Sequence, residues 1–364
     1  MEIHYQWPEW LAPANSKLLT HLDSIAESRA KLRRIAERGY LHRHVPQSKI
    51  WGVLDQALAS GAMKRGPGGI TFPGPITLSK DWTLSYLYDL GLPRHQLRQL
   101  SACSQLAVVR LLEGFTAGIK NGDLLAPLVC LRSILEHIAH YQDSLESIRN
   151  LPEPKDFKSN TAAIVEAREK ILKKIYGTRC DWEKLINLTS DSIEEKSVKY
   201  AASENRIDLT SKTIMNAVDS MDKEIPGLRK TYEVLCEFAH PNVGSVLAFM
   251  ISVKCVSDKA TGIDWVEKQF GLEPPRGFTA ELSSPLEIIF SKVAAALSRY
   301  RSLFEESDII ATKLLALIQS AMRNILSKNP TIIAIYAPCP CGSGQKVKFC
   351  CGSKELPKGS GCGC

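Results

Sequence analysis

Four cysteines near the C-terminal end of the chain have the spacing of a metal site. They fall in the segment APCPCGSGQKVKFCCG with the pattern C-x-C-x8-C-C, so that Cys339 and Cys341 form one pair and Cys350 and Cys351 form another. Zn²⁺ binds four thiolate sulfurs at the corners of a tetrahedron. Because the glycines between the two pairs permit a tight chain reversal, the pattern predicts a Zn²⁺ site with these four ligands.

The four cysteines are expected to be reduced thiols rather than disulfides. The first residues of the chain lack the basic and apolar regions of a signal peptide, which predicts a cytoplasmic protein. A dense cysteine cluster in that compartment is typical of metal binding. Two further cysteines, Cys362 and Cys364, follow a Gly/Ser-rich tail, and we expect them to be spare thiols.

The segment CPCGSGQKVKFCCG, residues 339–352, resembles the SEC-C motif, the zinc-binding element at the C-terminus of the SecA translocation ATPase and of many other bacterial proteins. The likeness includes the four ligand positions, the proline between the first two, the Gly-Ser-Gly turn and the basic run before the last pair. It covers 14 of the 364 residues, and the rest of the chain has no ATPase motif. The resemblance implies a bacterial protein whose zinc knuckle (residues 339–352) docks onto a protein partner.

A helix predicted from residue 124 to about 144 carries the other candidate chemistry. Arg132, Glu136 and His140 lie on one stripe of this helix, beside an apolar seam. A later segment, YEVLCEFAHPNVGS, ends its helix at His240, where Pro241 follows. If the two helices pack together, these residues could bind a phosphate and transfer protons at an RNA 2′-hydroxyl. The alternative is an ordinary ion pair of a helical core.

The pattern R-x4-H formed by Arg132 and His137 resembles the motif of the HEPN superfamily, helical proteins that include many ribonucleases of toxin and phage-defence systems. This resemblance implies a HEPN-like helical domain. It also implies catalytic roles for Arg132 with His137, His140 or His240. Whether the chain is an enzyme therefore stays open between this ribonuclease and a binding or adaptor protein.

Most of the excess positive charge lies in the N-terminal third. Residues 1–120 contain 15 Lys and Arg against nine Asp and Glu, and the net charge of the whole chain is +7. Arg29, Arg33, Arg34 and Arg38 lie one turn apart in pairs on a predicted helix. Such a stripe can follow a nucleic-acid backbone, which makes RNA a candidate partner. The alternative is a solvated helix face.

The composition is that of a folded chain with a sizeable core, being 44% hydrophobic and 23% charged. No apolar run reaches the ~18 residues of a membrane helix, so no membrane insertion is expected. Helical spacing of apolar residues predicts a mainly α-helical fold, a multi-helix body with a small C-terminal zinc knuckle. The predicted parts are a basic helical region with a Gly/Pro loop (1–100), a helical domain (101–330), and the SEC-C motif with a flexible tail (331–364).

The individual helices follow from apolar periodicity and from Gly, Pro and capping signals. They are predicted over 14–40, 50–58, two segments of 101–149 divided at 121–123, 211–222, 226–240, 284–305 and 307–327.

Overall fold

The computed structural model describes residues 7–8, 11, 16–36, 64–66, 69–71, 80–176, 214–240, 250–258, 263–270, 280–328, 333–341 and 343–353. Within these residues the fold is mainly helical, as predicted. The seven helices are α1 (Ser16–Ala36), α2 (Lys80–Lys120), α3 (Leu125–Ile148), α4 (Phe157–Tyr176), α5 (Ile214–Glu224), α6 (Leu228–Ala239) and α7 (Ala280–Lys328).

Two antiparallel hairpins accompany the helices. The first pairs β1 (Lys64–Gly66) with β2 (Gly69–Thr71), inside the predicted Gly/Pro loop. The second pairs β3 (Met250–Asp258) with β4 (Ile263–Phe270), and the sequence did not predict it. The predicted helix over 50–58 lies outside the described residues, as does the end of the predicted 14–40 helix.

The turn between α2 and α3 lies where the sequence predicted it. Gly122 has a φ of 76°, a left-handed conformation that favours glycine. The carboxylate of Asp123 accepts hydrogen bonds from the backbone N–H groups of Leu125 (2.9 Å) and Ala126 (3.3 Å), which caps α3. Helix α2 begins at Lys80, however, well before the predicted start at 101.

The prediction of two helices at 284–305 and 307–327 was wrong, because α7 is continuous from Ala280 to Lys328. The polar run from Glu305 to Asp308 contains neither Gly nor Pro, so nothing in it breaks a helix. Among the described helices, residues 283–328 alone are long and apolar enough to cross a membrane by length and composition. Half of the most apolar window is buried inside the protein, as is also seen in core helices.

The chain divides into two compact units, each with parts of α2, α3 and α7. Unit 1 comprises residues 1–40, 101–143 and 213–305. Its core contains the rings of Tyr141, Tyr300 and Phe304, with Tyr141 and Tyr300 centroids 5.7 Å apart. The Tyr141 hydroxyl bonds Ser101 and the Tyr300 hydroxyl bonds Ser104, both at 2.8 Å, so these buried polar atoms are satisfied.

Unit 2 comprises residues 41–100, 144–212 and 306–364, and it contains the knuckle. Arg149 at the end of α3 forms an ion pair with Glu306 of α7 at 2.7 Å. The buried amide of Asn160 in α4 donates to Ser320 of α7 at 3.0 Å and accepts from the Lys155 N–H at 2.8 Å. The division at 1–100, 101–330 and 331–364 stays a prediction.

Candidate metal centre

The structure brings the four predicted cysteines together. Their sulfur atoms all lie within 4.8 Å of one another, with 3.4 Å between Cys341 and Cys350 and 3.9 Å between Cys350 and Cys351. All four are free thiols with at most 6% of their surface exposed. Four sulfurs at 2.3 Å from a tetrahedral Zn²⁺ lie about 3.8 Å apart. The cluster is therefore close enough to hold one metal ion.

Backbone hydrogen bonds fold the short segment around the sulfurs. The Cys339 N–H donates to the Gln345 carbonyl at 2.8 Å, and the neighbouring residues Pro338 and Lys346 form an antiparallel bridge. Gly344 turns the chain with a φ of 81°, which favours glycine. A 3-10 turn at Val347–Phe349 then directs the second cysteine pair back towards the first.

A single apolar side chain supports this second pair. Val347 is 3% exposed, and its carbonyl accepts from the N–H groups of Cys350 (3.1 Å) and Gly352 (2.8 Å). A Cβ at Gly352 would lie 2.7 Å from the Val347 methyl carbon, so only glycine fits there. The segment has almost no core of its own, which is why a bound metal would supply much of its folding energy.

Hydrogen bonds among the thiols shift the pKa values of the four cysteines in opposite directions. Donation from the Cys339 thiol lowers the pKa of Cys341 to about 7, and it also lowers the pKa of Cys350. Because Cys339 donates these hydrogen bonds, its own pKa is raised. The pKa of Cys351 is also raised, because the Cys351 thiol donates to the other three sulfurs, first of all to Cys339. The cluster thus favours thiolate at two of its four sulfurs, and thiolate is the form that binds metals.

Two side chains outside the cysteine set also contact the cluster. The Ser343 hydroxyl lies 3.2 Å from the Cys350 sulfur. The Gln319 amide, on α7, donates to the same sulfur at 3.3 Å. Ser343 could have been found from its place in the Gly-Ser-Gly turn, whereas no sequence signal points to Gln319.

Helix α2 touches the knuckle at a glycine. A Cβ on Gly91 would lie 2.1 Å from the Pro340 carbonyl oxygen and 3.7 Å from the Cys341 Cα. The Pro340 loop therefore rests directly on the helix backbone. Within unit 2 the metal centre is packed against α2 and α7.

The second group of predicted site residues forms a polar cluster in unit 1. Glu136 accepts from Arg132 at 2.9 Å and from the Tyr232 hydroxyl at 2.6 Å. The Arg132 guanidinium also lies 5.7 Å from the centre of the Tyr232 ring. Burial, followed by the bond to Glu136, raises the pKa of Tyr232 to about 12. The sequence predicted the Arg132–Glu136 pair, and the structure adds Tyr232.

Two contacts join α3 to α5 and α6 within unit 1. Glu136 bonds Tyr232 in α6, whereas Gln142, further along α3, bonds Glu224 at the end of α5 with 2.7 Å between the atoms. Helix α3 therefore contacts α6 through Glu136 and the end of α5 through Gln142.

The candidate histidines are spread along these helices. His140 lies on α3 between Glu136 and Gln142, and His240 lies just after the end of α6. His140 is four residues beyond Glu136 in the chain and His240 is eight residues beyond Tyr232, so the Glu136–Tyr232 contact does not by itself bring the two histidines together. His137 and His240 are exposed, and His140 is half-buried. Their predicted catalytic roles stay predictions.

The predicted nucleic-acid-binding arginines are only partly described. Arg29 and Arg33 lie on α1, where Arg29 is half-buried and Arg33 forms an ion pair with Glu113 at 3.4 Å. The side chain of Arg34 and the whole of Arg38 lie outside the described residues. The basic stripe therefore stays a prediction.

Comparisons with known proteins give no further assignment. No protein-family model, curated protein or solved structure matches the chain.

Proposed function

We propose that the protein is a cytoplasmic zinc-binding adaptor of SEC-C type, in which Cys339, Cys341, Cys350 and Cys351 hold one Zn²⁺ ion. The observation that carries the proposal is the buried cluster of four free thiols within 4.8 Å of one another. A set of four cysteines with no open position is typical of a structural zinc site. Such an ion shapes the segment around it and performs no reaction.

The surface beside the cysteines supports a docking role for the knuckle. Ile335, Tyr336 and Phe349 are 49%, 58% and 61% exposed, which is unusual for large apolar side chains so close together in sequence. The Lys348 ammonium lies 5.2 Å from the centre of the Tyr336 ring and 5.7 Å from that of Phe349, and the Lys346 ammonium lies 5.8 Å from that of Tyr336. We call these five residues the aromatic-basic face.

Charge and shape select the kind of partner for the aromatic-basic face. Exposed aromatic rings serve as interface anchors when they enter an apolar pocket. The two lysines add positive charge next to the rings, which favours an acidic rim around that pocket. The proposed partner is therefore another protein with an acidic surface around an apolar pocket.

Elemental analysis tests the zinc site. Protein expressed with ample zinc should contain one zinc per chain, and Cys350→Ser should lose it. Cys103→Ser is the matched control, because Cys103 is an exposed cysteine on α2 and is no part of the cluster. Wild-type protein with four reduced thiols at the cluster and no bound zinc would refute the proposal.

A further inference from the structure

We infer that the helices of unit 2 complete the metal centre, with Gln319 of α7 as a positioning residue for Cys350 and Gly91 of α2 as the seat of the Pro340 loop. The inference rests on the proposed zinc site and goes beyond it. A zinc knuckle needs only its own four ligands, whereas here two residues distant in the chain touch it. Metal binding and the stability of unit 2 are then linked.

The contact of Gln319 is suited to a metal-bound thiolate. Its amide nitrogen lies 3.3 Å from the Cys350 sulfur and can only donate to it. Four thiolates around Zn²⁺ carry a net negative charge, and N–H donors spread that charge and fix the direction of the ligand. Because Gln319 is half-buried on a long helix, its donor is held in place by the fold of α7.

Gly91 makes the second connection by shape alone. A Cβ at this position would lie 2.1 Å from the Pro340 oxygen, which leaves no space for any side chain. The loop between Cys339 and Cys341 therefore lies directly against α2, and moving either cysteine requires the loop to leave the helix. A ligand that binds only the folded state stabilises that state. Zinc should therefore protect α2 around residue 91 and α7 around residue 319.

Gln319 variants test the positioning role through zinc release. In Gln319→Glu, a carboxylate oxygen would face the thiolate, and we expect zinc transfer to a chelator to be about 10- to 100-fold faster than in wild type. Gln319→Leu removes the donor without adding charge. Its rate of zinc transfer should lie between those of wild type and Gln319→Glu. Asn324→Leu adds the same apolar side chain at an exposed position of α7 and should match wild type. With Co²⁺ in place of zinc, the two Gln319 variants should also shift the thiolate-to-metal absorption band.

Gly91→Ala tests the seat without touching a ligand. We expect it to retain one zinc per chain but to increase amide hydrogen exchange in the knuckle and in α2 near residue 91. Gly114→Ala is the matched control on the same helix, because its Cβ would meet only the Cys130 sulfur at 3.2 Å. In wild-type protein, removal of zinc should increase exchange around residues 91 and 319.

The outcomes separate the two proposals. Wild-type protein without zinc would overturn the zinc site and the inference together. If wild-type protein binds one zinc per chain, the zinc site stands. The inference alone is then wrong if the Gln319 variants release zinc at the wild-type rate and zinc removal leaves amide exchange in α2 and α7 unchanged.

Discussion

The phenol of Tyr232 donates a 2.6 Å hydrogen bond to Glu136, and the same carboxylate oxygen accepts from Arg132 at 2.9 Å. The carboxylate and guanidinium side chains are 29% and 25% exposed. A half-buried carboxylate with one cation and one hydroxyl donor is satisfied by the fold itself. The contacts therefore account for Arg132 and Glu136 as a bridge between α3 and α6, without requiring a substrate.

Removing the cation should destabilise the protein. Arg132→Ala leaves Glu136 with a single donor, and we expect the free energy of unfolding to fall by about 1–3 kcal/mol. Arg110→Ala is the control. Arg110 also pairs with a glutamate about one turn further along its helix, Glu113, but the Arg110 side chain is 83% exposed. Urea denaturation of both variants measures the difference. Equal stability of Arg132→Ala and wild type would contradict the bridge.

The Tyr232 hydroxyl should add a contribution to stability that depends on pH. Its pKa is raised from 10.0 to about 12, so folding favours the protonated phenol. That contribution is complete below pH 10 and is lost as the pH rises from about 10 to about 12. Tyr232→Phe removes this contribution. The difference in the free energy of unfolding between wild type and the variant should therefore decrease as the pH rises from about 10 to about 12. A difference independent of pH would show that the phenol does not titrate as described.

His240 tests the ribonuclease alternative. Because it is exposed, His240→Ala should change the free energy of unfolding by less than about 0.5 kcal/mol. We expect wild-type protein to leave RNA intact, because the contacts of Arg132 and Glu136 are those of a structural bridge. An RNA-degradation assay on wild type, His137→Ala, His140→Ala and His240→Ala provides the test. Cleavage by wild type that falls about 10²- to 10⁴-fold in a histidine variant would establish the enzyme instead.

The cysteine cluster was predictable because its members are close together in sequence. The four cysteines lie within 13 residues, and their spacing and glycines encode the turn that joins them. Gln319 and Gly91 come from distant helices, and their residue types carry no metal signal. Gly91 is followed by Pro93, a pairing that is typical of a loop, yet tertiary packing holds both inside α2.

The helices were predicted from their apolar faces, whereas the β3–β4 hairpin was missed. Helices such as α1 bury one face, so Leu18, Leu22 and Ile25 recur at helical spacing. In β3 the consecutive residues 254–256 are all exposed, although their side chains alternate between faces. Residues 251–255 read Ile-Ser-Val-Lys-Cys and alternate between apolar and polar types, so a short strand signal was present in the sequence.

If the ribonuclease alternative holds, the basic stripe should bind nucleic acid with an affinity that weakens with salt. Replacing Arg29, Arg33, Arg34 and Arg38 with Ser should lower the affinity for single-stranded RNA and flatten its dependence on salt, because phosphate contacts release counterions. Replacing Lys17, an exposed residue near the start of α1, with Ser is a control for loss of one charge. Fluorescence anisotropy at several salt concentrations measures both quantities. Binding that is unchanged in the fourfold variant would assign the stripe to a solvated helix face.

The aromatic-basic face should bind an acidic, partly apolar peptide without help from the rest of the surface. Tyr336→Ala and Phe349→Ala each remove an exposed ring and leave the four cysteines in place, so both variants should retain one zinc per chain. We expect each to weaken binding of a labelled peptide rich in Glu and Leu by more than about 1 kcal/mol, as interface anchors do.

Two further variants test whether binding is specific to the aromatic-basic face. One controls for nonspecific binding to an exposed apolar side chain, and the other measures the contribution of charge. Ile309→Ala removes a side chain of α7 that is 58% exposed, as Tyr336 is, and should bind the peptide as wild type does. Lys348→Glu reverses the charge beside both rings and should weaken the salt-dependent part of the binding, although Lys346 keeps its charge near Tyr336. A peptide that binds wild type, Tyr336→Ala and Lys348→Glu equally well would show that the partner docks elsewhere, even if the knuckle holds its zinc.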